Sequence, residues 1–321
     1  MPSAFQSIVV VGAGAVGSYY GAMLARAGHR VTLIGRAPHV AAIERQGLQL
    51  HKAGTVEAVR LGASTEIDAV READLVLFCV KSTDTEAVGR EVAPHLQADA
   101  LLLSLQNGVD NAPTLAQLLR CTVVPTVVYV ATAMPEPGVV KHFGRGDLVI
   151  GPLDSSQASD AALAQRLQAV VDAFASADVP VKISPDVMAE LWSKLMVNCA
   201  YNAISGLAQL PYGVMAGVPD VVELQRAVVR EVVAVANADG VKLDLDVSLQ
   251  AMARIASAMP AQFSSTAQDM ARGKRSEIDH LNGTVARRGV ALGVPTPVNQ
   301  ALYALVKLVE AARGQAVAKP S

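Results

Sequence analysis

The chain is 321 residues long, enough for about two domains with a full hydrophobic core, and 51% of it is hydrophobic with only 4% aromatic. A formal charge of -2 offers no basic surface for a nucleic acid, and no apolar run reaches the ~18 residues needed to span a bilayer. Met1 to Gln6 lacks the charged start and apolar middle of a signal peptide, so the expected location is the cytoplasm. Cys79, Cys121 and Cys199 sit among apolar residues with neither paired nor metal-type spacing, which reads as buried, reduced thiols. A short tail of biased composition runs from Gln315 to Ser321.

Ile8 to Val11 is a β-branched run that leads directly into Gly12-Ala13-Gly14-Ala15-Val16-Gly17, followed by an Ala-rich segment closing at Gly28. Strand, glycine turn, helix is the context that gives GxGxxG meaning. The first glycine permits the tight turn, the second lets backbone approach a pyrophosphate, and the third lets the helix lie close to the strand with its N-terminal amides facing the anion. The next strand, Arg30 to Ile34, ends in Gly35-Arg36, where an NAD site usually has Asp or Glu. A guanidinium there suits the extra 2′-phosphate of NADP(H). The bland alternative makes Arg36 a solvated loop residue, with His39 a neighbouring surface group.

A strand pair is expected around Leu48 to His51 and Ala58 to Leu61, then a parallel strand from Ala73 to Val80, whose continuous apolar run implies cover on both faces. It ends at Lys81, and a further strand from Ala100 to Leu105 ends at Gln106-Asn107-Gly108. Ligands in doubly wound sheets bind outside the carboxyl ends of the strands, so Lys81 and Asn107 fall on the cofactor side unless they are a surface charge and a turn residue. The sheet continues through Thr122 to Ala133, a Pro135 to Gly138 turn, Val139 to Phe143 and Leu148 to Ile150, an antiparallel addition. A helix from Ser159 to Ser176 and a strand from Val179 to Ser184 complete the first domain. The fold class is therefore α/β: a Rossmann-type doubly wound sheet over residues 1–184, then an all-helical domain over 185–321.

That second domain opens with Glu190-Leu-Trp-Ser-Lys194-Leu-Met-Val-Asn198-Cys-Ala-Tyr-Asn202, a helix expected from about Asp186. Lys194, Asn198 and Asn202 share one face along ~12 Å, while Leu191, Leu195 and Cys199 form a neighbouring core face. When hydride adds to a ketone, negative charge grows on its oxygen, and a nearby ammonium can stabilise the charge and give up a proton. Lys194 is the candidate donor, and the two amides could orient a substrate; the alternative is a surface lysine beside neutral amides. Helices follow over Val221 to Ala238, Leu249 to Met259 and Asn299 to Ala312. Between them lies a polar, positively charged segment in which Ser265 with Gln268 makes a capping box and Glu277 an exposed helix residue or a partner of Arg275 or Lys274.

In this order, Gly12-Ala-Gly14-Ala-Val-Gly17, Arg36, Val80-Lys81, Gln106-Asn107-Gly108, Lys194 with Asn198 and Asn202, Ser264-Ser265 with Gln268-Asp269, and Glu277-Ile-Asp279 before Asn282-Gly283 resemble the ketopantoate reductase (2-dehydropantoate 2-reductase) family along nearly the whole chain. The resemblance implies NADPH-dependent reduction of 2-dehydropantoate to (R)-pantoate, toward pantothenate and coenzyme A. It further implies that Lys194 is the general acid, Asn198 and Asn202 bind substrate, Ser265 holds the carboxylate, Glu277 bonds the substrate hydroxyls, and Lys81 and Asn107 lie by the nicotinamide and its ribose. Some members carry another substrate-side Asn beyond the Asn202 position, where this chain reads Leu210-Pro211-Tyr212-Gly213. Two other readings stand beside this one: a paralogous reductase of a different 2-oxo acid, and a non-catalytic NADPH-binding sensor. The expected partner is a small 2-oxo acid, with no nucleic acid and no membrane, and the oligomeric state is left open between homodimer and monomer.

Overall fold

The computed structural model describes residues 5–318. The expectations for the first residues and for the tail that ends at Ser321 therefore fall partly outside the described residues. The chain divides into two compact units between Glu190 and Leu191. In chain order the first contains β1 (Ile8–Val11), α1 (Ala15–Arg26), β2 (Val31–Ile34), α2 (Ala37–Gln46), β3 (Leu48–Lys52), β4 (Thr55–Val59), β5 (Gly62–Ser64), β6 (Leu75–Phe78), α3 (Thr85–Val92), β7 (Leu101–Ser104), α4 (Asn111–Leu118), β8 (Thr122–Glu136), β9 (Val139–Ile150), α5 (Ala161–Ala175) and β10 (Val181–Ile183). The helices that follow are α6 (Val187–Ala208), α7 (Tyr212–Ala216), α8 (Pro219–Ala238), α9 (Leu245–Ala258), α10 (Ser265–Ala271), α11 (Asn282–Leu292) and α12 (Pro297–Ala318).

Six strands form a parallel sheet in the order β5-β2-β1-β6-β7-β8. The apolar runs in its central strands have a physical cause. Ile8 and Val10, Leu75 and Leu77, and Leu101 and Leu103 point into one core with Tyr20, Met23 and Phe174. Their neighbours Val9 and Val11, Val76 and Phe78, and Leu102 point into a second core with Val92, Ala112 and Leu115. Successive residues face opposite sides of a strand, so burying both faces demands hydrophobicity at every position.

The antiparallel addition is β9, paired with β8 from Thr126 opposite Ile150 to Glu136 opposite Val139. Strand β3 joins it in parallel, carries β4 antiparallel, and β10 pairs with the end of β9. The sequence suggested two short strands on either side of Gly144 to Gly146, but β9 is continuous. Arg145 takes a φ of 55° between the two glycines, and the register shifts there as bulges, so extra residues are absorbed without ending the ladder. Strand β5 and helices α2, α4, α7 and α11 were not anticipated, each being short or containing glycine or proline.

In the helical unit, Leu191, Trp192, Leu195 and Cys199 of α6 are all buried, as the core face requires. Tyr201 donates from its hydroxyl to the Met252 carbonyl at 2.9 Å, tying α6 to α9. Helix α12 starts at Pro297, two residues earlier than expected, because proline suits the first helical position. The Glu231 carboxylate caps that end, accepting from the backbone N–H groups of Val298 and Asn299 at 2.8 and 2.9 Å.

Candidate active site

The glycine turn carries a direct geometric test of its reading. Gly12 has a φ of 101°, and a Cβ there would lie 2.7 Å from the Val80 nitrogen, so turn and close approach both demand glycine. A Cβ on Gly17 would lie 2.3 Å from the Gly12 carbonyl oxygen and 2.8 Å from a Val10 methyl carbon, which is the intimate helix-to-strand contact. At Gly14, in extended backbone, a Cβ would meet no described atom within 4 Å. The space over Gly14 is open where the residues around it are tight, and Gly14, the N-cap of α1, has no side chain with which to cap the first-turn amides. Such a cradle fits the pyrophosphate of a dinucleotide.

Strands β1, β6 and β7 are parallel neighbours, so the glycine turn, Lys81 and Asn107 emerge at one edge, within ~10 Å across the sheet. The loops bearing Lys81 and Asn107 are joined by buried polar groups. Ser82 Oγ donates to the Asn107 carbonyl at 2.9 Å, and Asn111 Nδ2 donates to the same carbonyl at 2.7 Å. Gln106 Nε2 donates to the Val80 carbonyl at 3.1 Å and to Thr85 Oγ1 at 2.7 Å, and Thr85 donates onward to Asn111 Oδ1 at 2.7 Å. Ser82, Thr85 and Asn111 were not singled out from sequence. Their one local trace is that polar side chains recur just after two strands whose every other residue is apolar.

Arg36 follows β2, is exposed, and stands as the N-cap residue of α2. His39, three residues on, is a correction to the surface reading, being only 6% exposed. Burial pushes its imidazole below the usual histidine range, so the ring is neutral near pH 7. Burial likewise raises the thiols of Cys79, Cys121 and Cys199, that of Cys121 to about 11, and none forms a disulfide.

In the helical unit, Lys194 and Asn198 are half-buried and Asn202 is buried, one turn apart along α6. The structure brings Asn202 and Ser265 together across 63 residues of chain, Asn202 Nδ2 donating to Ser265 Oγ at 3.3 Å. The capping expectation is corrected here. Ser264, not Ser265, is the N-cap of α10: its hydroxyl oxygen accepts from Ala267 N–H at 3.0 Å, and the same hydroxyl donates to the Asn202 carbonyl at 3.2 Å. Ser265 is thereby left exposed at the start of the helix. A Cβ on Gly206 would lie 2.7 Å from a Thr266 methyl carbon, so glycine is what lets α10 pack this close to α6.

Glu277 is half-buried in a short segment fixed on both flanks by α12. Ser276 donates from N–H and Oγ to Glu310 Oε1 at 2.8 and 2.7 Å, while Asp279 accepts from Tyr303 at 2.7 Å and Lys307 at 2.8 Å. Burial pushes the Asp279 carboxyl up, but the Lys307 and Tyr303 hydrogen bonds outweigh it and hold the group below the usual carboxylate range. Asn282 Nδ2 then ropes the segment to α6, donating to the Cys199 carbonyl at 3.2 Å and to Asn299 Oδ1 at 2.9 Å. Tyr212 is buried, its ring 4.7 Å from that of Tyr201. Among the described residues no cluster of three or more His, Cys, Asp or Glu could hold a metal, and no helix is long and apolar enough to cross a membrane.

Comparison with known proteins gives a consistent picture. The family model "Ketopantoate reductase PanE/ApbA" matches residues 8–155, and its C-terminal companion matches residues 186–310. A 2-dehydropantoate 2-reductase of Halobacterium salinarum is 33% identical over 94% of this chain and 98% of its own length. That of Vibrio cholerae is 32% identical over 95% of this chain and 98% of its own. A crystal structure of a PanE/ApbA family ketopantoate reductase from Ralstonia eutropha JMP134 superimposes with a TM-score of 0.88 and 53% identity, covering 96% of this chain and 99% of that one.

Proposed function

The chain belongs to the ketopantoate reductase PanE/ApbA family, and from that premise we propose that it reduces 2-dehydropantoate to (R)-pantoate with NADPH, a step toward pantothenate and coenzyme A. The observation that carries the reading is the α6 stripe. Within the segment matched by the C-terminal family model, an ammonium and two amides recur every four residues, and the last amide meets Ser265.

The glycine turn, Arg36, Lys81 and Asn107 would hold NADPH, which when bound would supply the hydride for the 2-oxo carbon. Lys194 donates its Nζ proton to the carbonyl oxygen as charge develops there, becomes neutral, and regains a proton from solvent. Asn198 and Asn202 hydrogen-bond the substrate's polar groups and fix which face of the carbonyl is presented. Ser265 Oγ donates to the carboxylate, and the Glu277 carboxylate accepts from the substrate hydroxyl. The segment around Glu277 is clamped to α12 and roped to α6, so little reorganisation is required of it on binding. We place the activity in the cytoplasm, with the 2-oxo acid as its partner.

The test is loss of reduced-nicotinamide absorbance when purified protein meets NADPH and 2-dehydropantoate, with pyruvate and 2-oxoisovalerate as comparison substrates. Selective turnover of 2-dehydropantoate is the expected result. Equal or better turnover of another 2-oxo acid would move the substrate assignment, and NADPH binding without any turnover would sink the enzymatic reading.

A further inference from the structure

The buried imidazole of His39 does something that a surface group or an apolar filler could not. The Gly138 backbone N–H donates to His39 Nδ1 at 2.8 Å, so the single proton of the neutral ring sits on Nε2. From there the ring donates to Ser18 Oγ at 3.2 Å, and Ser18, fully buried in the first turn of α1, donates to the Ala13 carbonyl at 3.3 Å. Ala13 belongs to the glycine turn, Gly138 is the turn between β8 and β9, and His39 sits on the first turn of α2, just past Arg36. One ring therefore braces three loops. Their packing leaves little slack, since a Cβ on Gly35 would lie 2.8 Å from the Ala13 Cβ and one on Gly138 would lie 2.7 Å from the Ala42 Cβ.

We infer that His39 is a positioning residue for NADP recognition, setting through Ser18 the spacing between the pyrophosphate-binding turn and Arg36 so that one dinucleotide engages both. The inference rests on the reading that Arg36 meets the 2′-phosphate. A brace between two anchor points matters only to a ligand that uses both. Of these two anchor points NADP+ uses both, whereas NAD+, lacking the 2′-phosphate, uses only the turn.

Calorimetric titration of NADP+ and of NAD+, without turnover, tests this in wild type, His39→Gln, His39→Asn, His39→Leu and Arg36→Gln. A glutamine amide nitrogen reaches the Nε2 position and restores the bond to Ser18. An asparagine oxygen takes the Nδ1 position and restores only the bond to Gly138, and leucine restores neither. The Asn and Leu variants should weaken NADP+ about tenfold, the scale of one or two lost hydrogen bonds, while the NAD+ constant holds and the Gln variant stays near wild type. Melting temperatures show which variants are folded, and the Gln and Asn pair suffices if the Leu variant is not. Equal weakening of NADP+ and NAD+, or an Asn variant as good as the Gln variant, would overturn the inference. Arg36→Gln separates the two levels. If it leaves the preference for NADP+ intact, the reading of Arg36 fails; if it abolishes the preference while the His39 variants do not change it, only the brace fails.

Discussion

Replacing Gly14 and Gly17 by alanine, one at a time, separates ligand space from packing space. At Gly17 the new methyl would stand 2.3 Å from a backbone oxygen, where unstrained heavy atoms sit at about 3.5 Å, so helix α1 must retreat from β1 by roughly an ångström. Overpacking of this kind costs about 1–3 kcal/mol, and a loss of about 2 kcal/mol lowers the melting midpoint of a unit this size by about 4–8 °C. At Gly14 the methyl meets no described atom within 4 Å, and the backbone, with φ -76° and ψ -171°, accepts any residue. The change at this N-cap should cost under about 1 kcal/mol. Since the Gly14 methyl obstructs none of the described residues, the proposed pyrophosphate site predicts that it obstructs the ligand and that NADP+ affinity falls at least about tenfold. Scanning calorimetry and isothermal titration on the two variants read these quantities directly. Wild-type NADP+ affinity in Gly14→Ala, or an unchanged midpoint in Gly17→Ala, would refute the reasoning.

Lys194→Ala should lower kcat for the 2-oxo acid by about 10²–10⁴, the usual contribution of a positioned acid, with the NADP+ dissociation constant unchanged by titration. The adjacent serines should divide their effects: Ser264→Ala, losing the cap, should cost about 1 kcal/mol in urea unfolding, whereas Ser265→Ala should chiefly raise KM for the 2-oxo acid, its stability cost confined to the one long hydrogen bond from Asn202. Asn282→Ala removes two buried hydrogen bonds and should destabilise the helical unit by about 1–3 kcal/mol, again read by urea unfolding. The folded-state pKa of His39 is depressed, so the unfolded chain binds its proton first as pH falls. Stability associated with His39 is therefore full above the unfolded value of about 6.5 and declines below it, at no more than about 1.4 kcal/mol per pH unit, until the folded value is passed. Urea titrations of wild type and His39→Gln at pH 7 and pH 5.5 should show that part of the decline only in wild type.

Features set by spacing within one element were legible in the sequence. Strand, glycine turn and helix are contiguous, the α6 stripe repeats at the helical period, and the doubly buried strands declare themselves by unbroken apolar runs, because each follows from geometry over a few neighbouring residues. The tertiary structure decided what depends on partners far along the chain. Gly138 comes 99 residues after His39 and turns a residue resembling a surface group into a buried brace. Asn202 and Ser264, 62 residues apart, decide which of two adjacent serines caps a helix and which stays exposed. The residues that hold Lys81 and Asn107 in place belong to loops brought together by strand pairing. A polar side chain reads the same in sequence whether it meets water or a buried amide, and only the packed structure selects its partner.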